Sequence, residues 1–345
     1  MRFLFTTGGP SVPDIWGGAE TSMHELIGEL LARGHACELV SGCAHGRLAR
    51  LRHLGARSDQ RAGYPAHRVD HARVPALLRA RLAAFRPDVV VCWNRGCVGA
   101  AAAALDAGAA VLLWVPDVGF HWHRGPLAAH RKLVIAGCSA FVAGRIRDRL
   151  GLEARVLRPL IRFDLYRHPG PRGESVTLVN AHPTKGLEIA LAVAARLPHR
   201  EILLVDSWLL TRAERRDLAA RVARLPNARL HPWVPRMSEI YRRTAVLLAP
   251  SQVEDASPRV ILEAQASGIP AVASRIGGIP EILGDGGVLL DPGAPGERWS
   301  EAVEAVLADP AELAARAVAN AARPELSPAA ITDDFLAIAA AAASG

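Results

Sequence analysis

VLLAPSQVEDASPRVILEAQASGIPAVAS, residues 246–274, runs from a short apolar segment through a polar turn into a helical stretch and back to an apolar segment. Residues 246–249 read as a buried strand, 258–267 as a helix and 271–274 as the next strand. Gly268 and Pro270 close the helix, because glycine permits a left-handed cap and proline cannot continue the helical ladder. Strand, crossover helix and strand in so short a span make the repeating unit of a parallel sheet.

The same alternation extends upstream. Residues 176–180 read as a strand, 186–196 as a helix, 202–206 as a strand, 211–224 as a helix, 229–233 as a strand and 238–243 as a short helix. The first half repeats the scheme. It has strands at 2–6, 37–41, 89–93 and 111–115, helices at 19–33 and 96–107, and a weaker pair closing near 155–159. Tyr166-Arg-His-Pro-Gly-Pro-Arg-Gly173 separates the halves as a hinge. The fold class expected is therefore α/β, with two Rossmann-like parallel-sheet domains at 1–165 and 174–327 facing a cleft. The alanine-rich helix at 328–345 has no strands of its own and is expected to pack back on the first domain.

Of the 345 residues, half are apolar and 22% charged, which excludes a disordered chain and suits about two globular domains. The longest apolar runs are strand-length, far short of the ~20 residues of a membrane helix. MRFLFTTGGP at the N-terminus lacks the apolar core and cleavage site of a signal peptide, so a cytoplasmic protein is expected. Cysteines 37, 43, 92, 97 and 138 show no metal or disulfide spacing and read as free thiols.

The net charge of +7 is uneven: residues 1–165 hold 22 Lys/Arg against 13 Asp/Glu, and the remainder holds 19 against 21. The basic first half points to an anionic acceptor or membrane surface as its partner rather than nucleic acid. Segment 45–54, with Gly-Arg-Leu-Ala-Arg-Leu-Arg inside it, is the candidate for peripheral contact with an anionic membrane. Only two lysines, Lys132 and Lys185, stand among 39 arginines.

Four loops carry the chemistry. In the first, Ser257 reads as a helix N-cap with Pro258 at the first helical position. The backbone N–H groups of Arg259 and Val260 then form a phosphate site. Glu263 lies ~8 Å further along the helix at 1.5 Å per residue, a span that puts a carboxylate on ribose hydroxyls while a diphosphate sits at the helix end. Asp255, just before the cap, is expected to face a sugar beyond the phosphate. In the second loop, Asn180-Ala-His-Pro-Thr-Lys185-Gly186, Lys185 follows a strand and opens a helix, where a mobile cation suits a diphosphate leaving group. The third is the glycine-rich turn with Gly17 and Gly18, whose backbone can approach a ligand closely. The fourth, Trp114-Val-Pro-Asp117-Val-Gly-Phe-His121-Trp-His123, offers Asp117, His121 and His123 to an acceptor. There is no G-x-G-x-x-G fingerprint of a dehydrogenase. No D-x-D or clustered His/Asp set follows a strand, so Lys185, Arg259 and helix N-termini are expected to neutralise the diphosphate without a metal.

Asp255 to Glu263, followed by Ala-Gln-Ala-Ser-Gly-Ile-Pro and Ser274-Arg-Ile-Gly-Gly-Ile-Pro-Glu281, resembles the E-x7-E signature of family 4 retaining glycosyltransferases of the GT-B fold. Gly17-Gly18-Ala19-Glu20, Arg33-Gly-His35, Lys185-Gly186 and the Met237…Tyr241…Pro250-Ser251 stretch extend the likeness along the chain. The resemblance implies a nucleotide diphosphate-sugar, UDP-, GDP- or dTDP-linked, held by the second domain as a substrate, with no cofactor. It implies that Lys185 binds the diphosphate, Glu263 the ribose and Asp255 the transferred sugar, that residues 232–237 lie near the base, and that Gly17 and Gly18 contribute to the donor site. Transfer would retain anomeric configuration, with the donor's own phosphate taking the acceptor proton, in polysaccharide or natural-product biosynthesis. Asp255, Lys185, Asp117 and His121 are the candidates for catalysis.

The chain departs from the family pattern at four places. Asp255 is one methylene shorter than the usual Glu, so either the donor sugar differs or Glu254 substitutes. Pro258 replaces a common Gly and has no N–H to give. An arginine that often precedes the lysine is missing, with Arg259 as its substitute. Pro116 occupies the place of a first-domain histidine. Two other classes stay open on the same architecture: a nucleotide-sugar 2-epimerase using Asp117 and His121, and a non-catalytic nucleotide-sugar-binding protein.

Overall fold

A computed structural model describes residues 1–43, 56–119, 130–168, 173–207 and 210–345. The chain divides into two units, one formed by Met1–Ile161 with Glu325–Gly345 and the other by Arg162–Pro324.

In the first unit, β1 (Arg2–Thr7) is buried at every position after Arg2, as a strand covered on both faces must be. It pairs in parallel with β2 (Ala36–Gly42) and β5 (Val89–Trp93). With β3 (Arg57–Asp59), β4 (Ala66–Val69), β6 (Ala110–Val115), β7 (Leu133–Gly137) and β8 (Arg155–Val156), the described sheet runs β3-β4-β2-β1-β5-β6-β7-β8. The expectation of an all-parallel sheet needs one correction: β3 pairs antiparallel with β4, because four-residue strand β4 is reached from β3 by a short turn rather than a crossover helix. Helices α1 (Gly18–Ala32), α2 (Val74–Phe85), α3 (Cys97–Asp106) and α4 (Ala140–Leu150) are the crossovers. Segment 57–85, unread in the sequence, thus supplies the edge strand β3, the strand β4 beside it and a helix.

The C-terminal helix Pro328–Ser344 is capped by Ser327, whose side chain accepts from the Ala330 N–H. It lies against β6 and β7. Its Phe335, fully buried, meets Phe3 edge-on at 5.2 Å and stacks on Phe5 at 6.3 Å, and Asp333 pairs with Arg33 at the end of α1.

The second unit holds β9 (Ser175–Leu178), β10 (Ile202–Val205), β11 (Ala228–His231), β12 (Thr244–Ala249), β13 (Ala271–Ser274) and β14 (Gly287–Leu290) in the order β11-β10-β9-β12-β13-β14, all parallel. Its helices are α5 (Leu187–Arg196), α6 (Arg212–Val222), α7 (Ser238–Tyr241), α8 (Arg259–Gln265), α9 (Ile279–Leu283), α10 (Gly296–Ala308) and α11 (Ala311–Ala321). Thr211 and Glu214 close a reciprocal capping box at the start of α6. Trp299 of α10 is fully buried among β-branched and leucine side chains from the sheet and α5.

Strand order reverses direction twice, between β1 and β5 in the first sheet and between β9 and β12 in the second. Loops leaving the carboxyl ends of adjacent strands on either side of such a reversal diverge to opposite faces and leave a crevice. Each unit therefore carries one ready-made ligand position.

Candidate functional site

At the reversal in the second unit, the loop after β9 and the loop after β12 are locked together. His182 accepts from the Thr184 N–H and starts a 3-10 turn, Pro183–Lys185. That turn ends at Gly186, whose φ is +83°. A Cβ there would lie 2.1 Å from the Pro250 carbonyl oxygen, so close approach of the two loops as well as the left-handed backbone demands glycine. The Gln252 N–H donates to the Thr184 carbonyl at 2.9 Å and completes the junction.

This junction delivers Lys185 to Asp255. The lysine Nζ is 2.5 Å from Asp255 Oδ2, and Ser251 Oγ donates to the same oxygen at 3.0 Å. Both charged side chains keep some exposure, 28% for Lys185 and 16% for Asp255. A third loop, after β13, supports the acidic turn from below: the Gly278 N–H donates to the Asp255 carbonyl at 2.7 Å. At Gly277 a Cβ would fall 2.4 Å from that carbonyl oxygen and 3.1 Å from the carbonyl carbon of Glu254. Close backbone packing thus accounts for the Gly277-Gly278 pair in the motif and fixes Glu254 and Asp255.

Helix α8 begins one residue later than the sequence suggests. Pro258 itself takes the cap position, in an extended conformation (φ −71°, ψ 101°), and no side chain caps the helix. Proline's fixed φ suits either position, and Ser257's capping propensity gives way to it. The N–H groups of Arg259 and Val260 lie in the first turn, where helical N–H groups have no intrahelical partner.

The Arg259 side chain needs a larger correction. Expected to stand in for a diphosphate-binding arginine, it is buried and turned along its own helix, with Nε donating to Glu263 Oε1 at 3.1 Å. Its Nη2 donates to the Tyr166 hydroxyl at 2.9 Å, and its guanidinium lies 5.7 Å from the Tyr166 ring centroid. Glu263 is buried too, and the Tyr241 hydroxyl donates to its other oxygen at 2.7 Å. A buried carboxylate without partners is costly, and an arginine four residues earlier is within reach to pair it. Burial, and next Glu263 itself, push the Tyr241 phenol well above its usual range, so the proton stays on the tyrosine and the bond runs from hydroxyl to carboxylate.

In the first unit, the loop after β1 is fastened to the loop after β5: the Gly8 N–H donates to the Arg95 carbonyl at 2.6 Å. Gly17 caps α1 in extended conformation and Gly18 opens it, with no side-chain cap. Glu20 follows in the first turn, and its Oε1 accepts from Asn94 Nδ2 at 2.7 Å. Asn94 holds a left-handed φ of +53° at the end of β5. Burial raises the Glu20 carboxyl, its backbone bond and the Asn94 amide oppose the rise, and the nearby charge of Asp117 adds to it. Asp117 comes just after β6, with Oδ1 accepting from the Gly119 N–H at 2.8 Å. Glu20, Asn94 and Asp117 thus gather at the carboxyl edge of the sheet. His121, His123 and segment 45–54 lie outside the described residues.

Arg68 of β4 anchors the loop between β1 and α1. Fully buried, it donates to Asp59 Oδ2 at 3.0 Å, to Ser11 Oγ at 2.5 Å, to Ser41 Oγ at 3.3 Å and to the Val12 carbonyl at 2.9 Å. Asp14 in the same loop is held by both Nη atoms of Arg61.

Nothing in the sequence marks Tyr166, Ser251 as a partner of Asp255, Arg68 or the pairing of Glu20 with Asn94, and Tyr241 enters there only as part of a pattern. Every one of those contacts, Ser251–Asp255 and Arg68–Asp59 excepted, joins residues more than twenty positions apart, so no local spacing signals them.

Two family models match: "Glycosyltransferase Family 4" over residues 16–159 and "Glycosyl transferases group 1" over residues 175–309. Curated relatives include a D-inositol 3-phosphate glycosyltransferase of Segniliparus rotundus, 33% identical over 144 residues (39% of this chain, 32% of the relative), and one of Rhodococcus opacus, 32% identical over 167 residues (43% and 36%). The match thus spans about a third of those relatives' length. Among solved structures, HepE of Anabaena in complex with UDP and glucose aligns with a TM-score of 0.79 at 18% identity over 98% of both chains. A glycosyltransferase of Rickettsia africae aligns with a TM-score of 0.78 at 16% identity over 99% of this chain and 98% of that one. At those identities the structural likeness speaks for the fold alone.

Proposed function

Since the chain belongs to the family 4-like glycosyltransferases of the GT-B fold, we propose that it moves a sugar from a nucleoside diphosphate-sugar to an acceptor hydroxyl with retention at the anomeric carbon. The observation that carries the reading is the meeting of Lys185, Asp255 and Ser251 at the strand-order reversal of the second unit, just before the helix that carries the buried carboxylate of Glu263. In that arrangement Lys185 and the N–H groups of Arg259 and Val260 take the diphosphate. Asp255, with Glu254 beside it, faces the transferred sugar, and Glu263 takes the ribose.

Charge separation at the departing diphosphate is the main demand of such a transfer, and a positioned cation with fixed N–H dipoles answers it without a metal. The donor's own phosphate oxygen accepts the acceptor proton on the face the phosphate is leaving, so positioning supplies much of the rate. Glu20 and Asp117 belong to the acceptor side in this reading. The basic first half suits an anionic acceptor. HepE, the structural neighbour, holds UDP and glucose, which makes UDP-linked sugars the first donors to try.

Calorimetric titration of UDP, GDP and dTDP without metal, on the native chain and on Lys185→Ala and Glu263→Ala, tests the site. Micromolar binding of one nucleotide, lost in both variants, supports it. Absence of binding by all three sinks the donor-site reading and favours a non-catalytic protein of the same fold.

A further inference from the structure

We propose that Ser58 is an activated nucleophile on the flank of the first unit, able to take an acyl group from a carboxylic ester, with His67 as its general base and Glu38 holding the imidazole. The proposal goes beyond sugar transfer and draws on no part of the donor site.

Three neighbouring strands supply the three groups in order. β3 carries Ser58, β4 carries His67 directly across from it, and β2 carries Glu38. Val40 of β2 is the partner of His67. Glu38 stands two residues before Val40, so by the alternation of a strand it lies on the same face. The Ser58 hydroxyl is 2.7 Å from His67 Nδ1, and His67 Nε2 is 3.2 Å from Glu38 Oε2. Arg81 of α2 brackets the carboxylate, with Nε 3.0 Å from Oε2 and Nη2 2.9 Å from Oε1. Ser58 is exposed, while the His67 and Glu38 side chains are 12% and 13% exposed. A nucleophile open to solvent thus rests on a base and a carboxylate largely withdrawn from it.

The chemistry fixes the direction of each proton. A carboxylate only accepts, so Nε2 carries the ring hydrogen, and Nδ1 of the neutral imidazole is left to accept from the Ser58 hydroxyl. Burial first, and the Arg81 charge next, lower the His67 pKa, with Glu38 and Asp59 opposing, so the ring is neutral and basic at neutral pH. Asp59 is itself engaged by Arg68 and Arg61 and leaves Glu38 as the ring's partner. A nucleophile, a base within hydrogen-bond reach and a third group orienting that base are the marks of an activated serine. In the transfer, Ser58 Oγ bonds to the ester carbonyl carbon as its proton passes to His67 Nδ1. The bond from that carbon to the alcohol oxygen then breaks, and the same proton leaves with the alcohol. Ser58 is left as an ester, and nothing is oxidised or reduced. β3 is the outermost strand on its side of the described sheet. The outward N–H groups of such a strand have no ladder partner, and N–H donors of that sort steady the oxyanion formed between the two steps.

The experiment treats the full chain with para-nitrophenyl acetate and follows acetylation of each serine by peptide mass spectrometry. Ser344 is the internal reference, being exposed and donating to the Ala340 carbonyl of its own helix. Ser58 is expected to acetylate about 100-fold faster than Ser344, the low end of general-base assistance, and His67→Gln should remove that excess. The native rate should fall as pH drops through the His67 pKa, below the ordinary 6.5, because a protonated ring cannot accept. Glu38 acts on the serine only through the ring and is a positioning residue. Glu38→Gln should therefore slow acetylation and move the fall to lower pH, since Glu38 favours the protonated ring. A merely structural glutamate would leave that pH unchanged. Equal acetylation of Ser58 and Ser344 overturns the proposal, and so does a native rate at Ser58 in His67→Gln. Should His67→Gln fail to melt cooperatively, the native pH profile decides: a fall below the ordinary imidazole value supports the proposal, and a rate flat from about pH 5 to 8 overturns it.

Discussion

Lys185 Nζ and Asp255 Oδ2 stand 2.5 Å apart, although the two residues are separated by 70 positions in the chain. The cation proposed for the diphosphate is therefore already balanced by the carboxylate proposed for the sugar. An arriving diphosphate must compete with Asp255 for Lys185.

That competition predicts opposite effects on binding and on transfer. Asp255→Asn should strengthen UDP binding by up to about fivefold, the worth of a partly exposed ion pair. The same variant should slow sugar transfer by roughly 100-fold or more, through loss of a positioned charge at the reacting centre. Calorimetry and a transfer assay on one preparation check both. Weaker UDP binding in Asp255→Asn would show that the carboxylate supports the diphosphate site rather than competing with it.

Gly186 should tolerate no side chain. Its φ of +83° and the 2.1 Å that would separate an added Cβ from the Pro250 carbonyl oxygen act in the same direction. Gly186→Ala should destabilise the fold by at least about 2 kcal/mol, from left-handed strain and displaced backbone together. Urea unfolding measures the loss, and Gly28→Ala, within α1 and with open space around its Cβ position, should be neutral or stabilising by about 1 kcal/mol.

Glu20 should make stability depend on pH in the sense opposite to most carboxylates. Its folded pKa is raised above the ordinary 4.5, so above that pH the folded state binds more protons than the unfolded one. Stability then falls as pH rises from 4.5 through the folded value. Glu20→Gln, which can still accept from Asn94, should melt at a higher temperature than the native protein at pH 8 and at the same temperature near pH 4. Equal melting of the two at pH 8 would mean that burial costs the Glu20 carboxylate nothing.

Arg68 should be among the most sensitive positions of the first unit. Arg68→Met leaves Asp59, Ser11 and the Val12 carbonyl without their shared donor, and removing one partner of a buried charged network costs about 3–5 kcal/mol. Arg68→Lys should recover little of this, since one ammonium cannot span the same fork of acceptors. Guanidinium unfolding of both variants gives the comparison.

The donor loops are legible in the sequence because their chemistry is contiguous: Glu254, Asp255, Pro258 and Glu263 lie within ten residues, on a turn and the helix it opens. Strands such as β1, β6 and β13 are legible for the same local reason, being short unbroken apolar runs between turn residues. The partners of Glu263 and Arg259 are not, since Tyr241 is 22 residues from Glu263 and Tyr166 is 93 from Arg259. Arg259 misleads because sequence shows a charge beside a phosphate-binding turn but not the direction its side chain takes. β3, with Arg57 and Asp59, and β4, with His67 and Arg68, carry too many polar residues to read as strands. They are the two outermost strands on that side of the described sheet, and their polar side chains pair with each other, as Ser58 does with His67 at 2.7 Å. Helices α10 and α11 carry no motif residue, and no strand follows them to complete the alternation by which the other crossovers are recognised.

The packing of Phe335 on Phe3 and Phe5 sets an order of events on the ribosome. β1 is made long before the helix that covers it, and at roughly 5–20 residues per second the wait is tens of seconds. All of Arg162–Pro324 emerges in the interval. The later unit can therefore mature while the earlier one still exposes a greasy seam, and the nascent chain must keep that seam from sticking until the covering helix arrives.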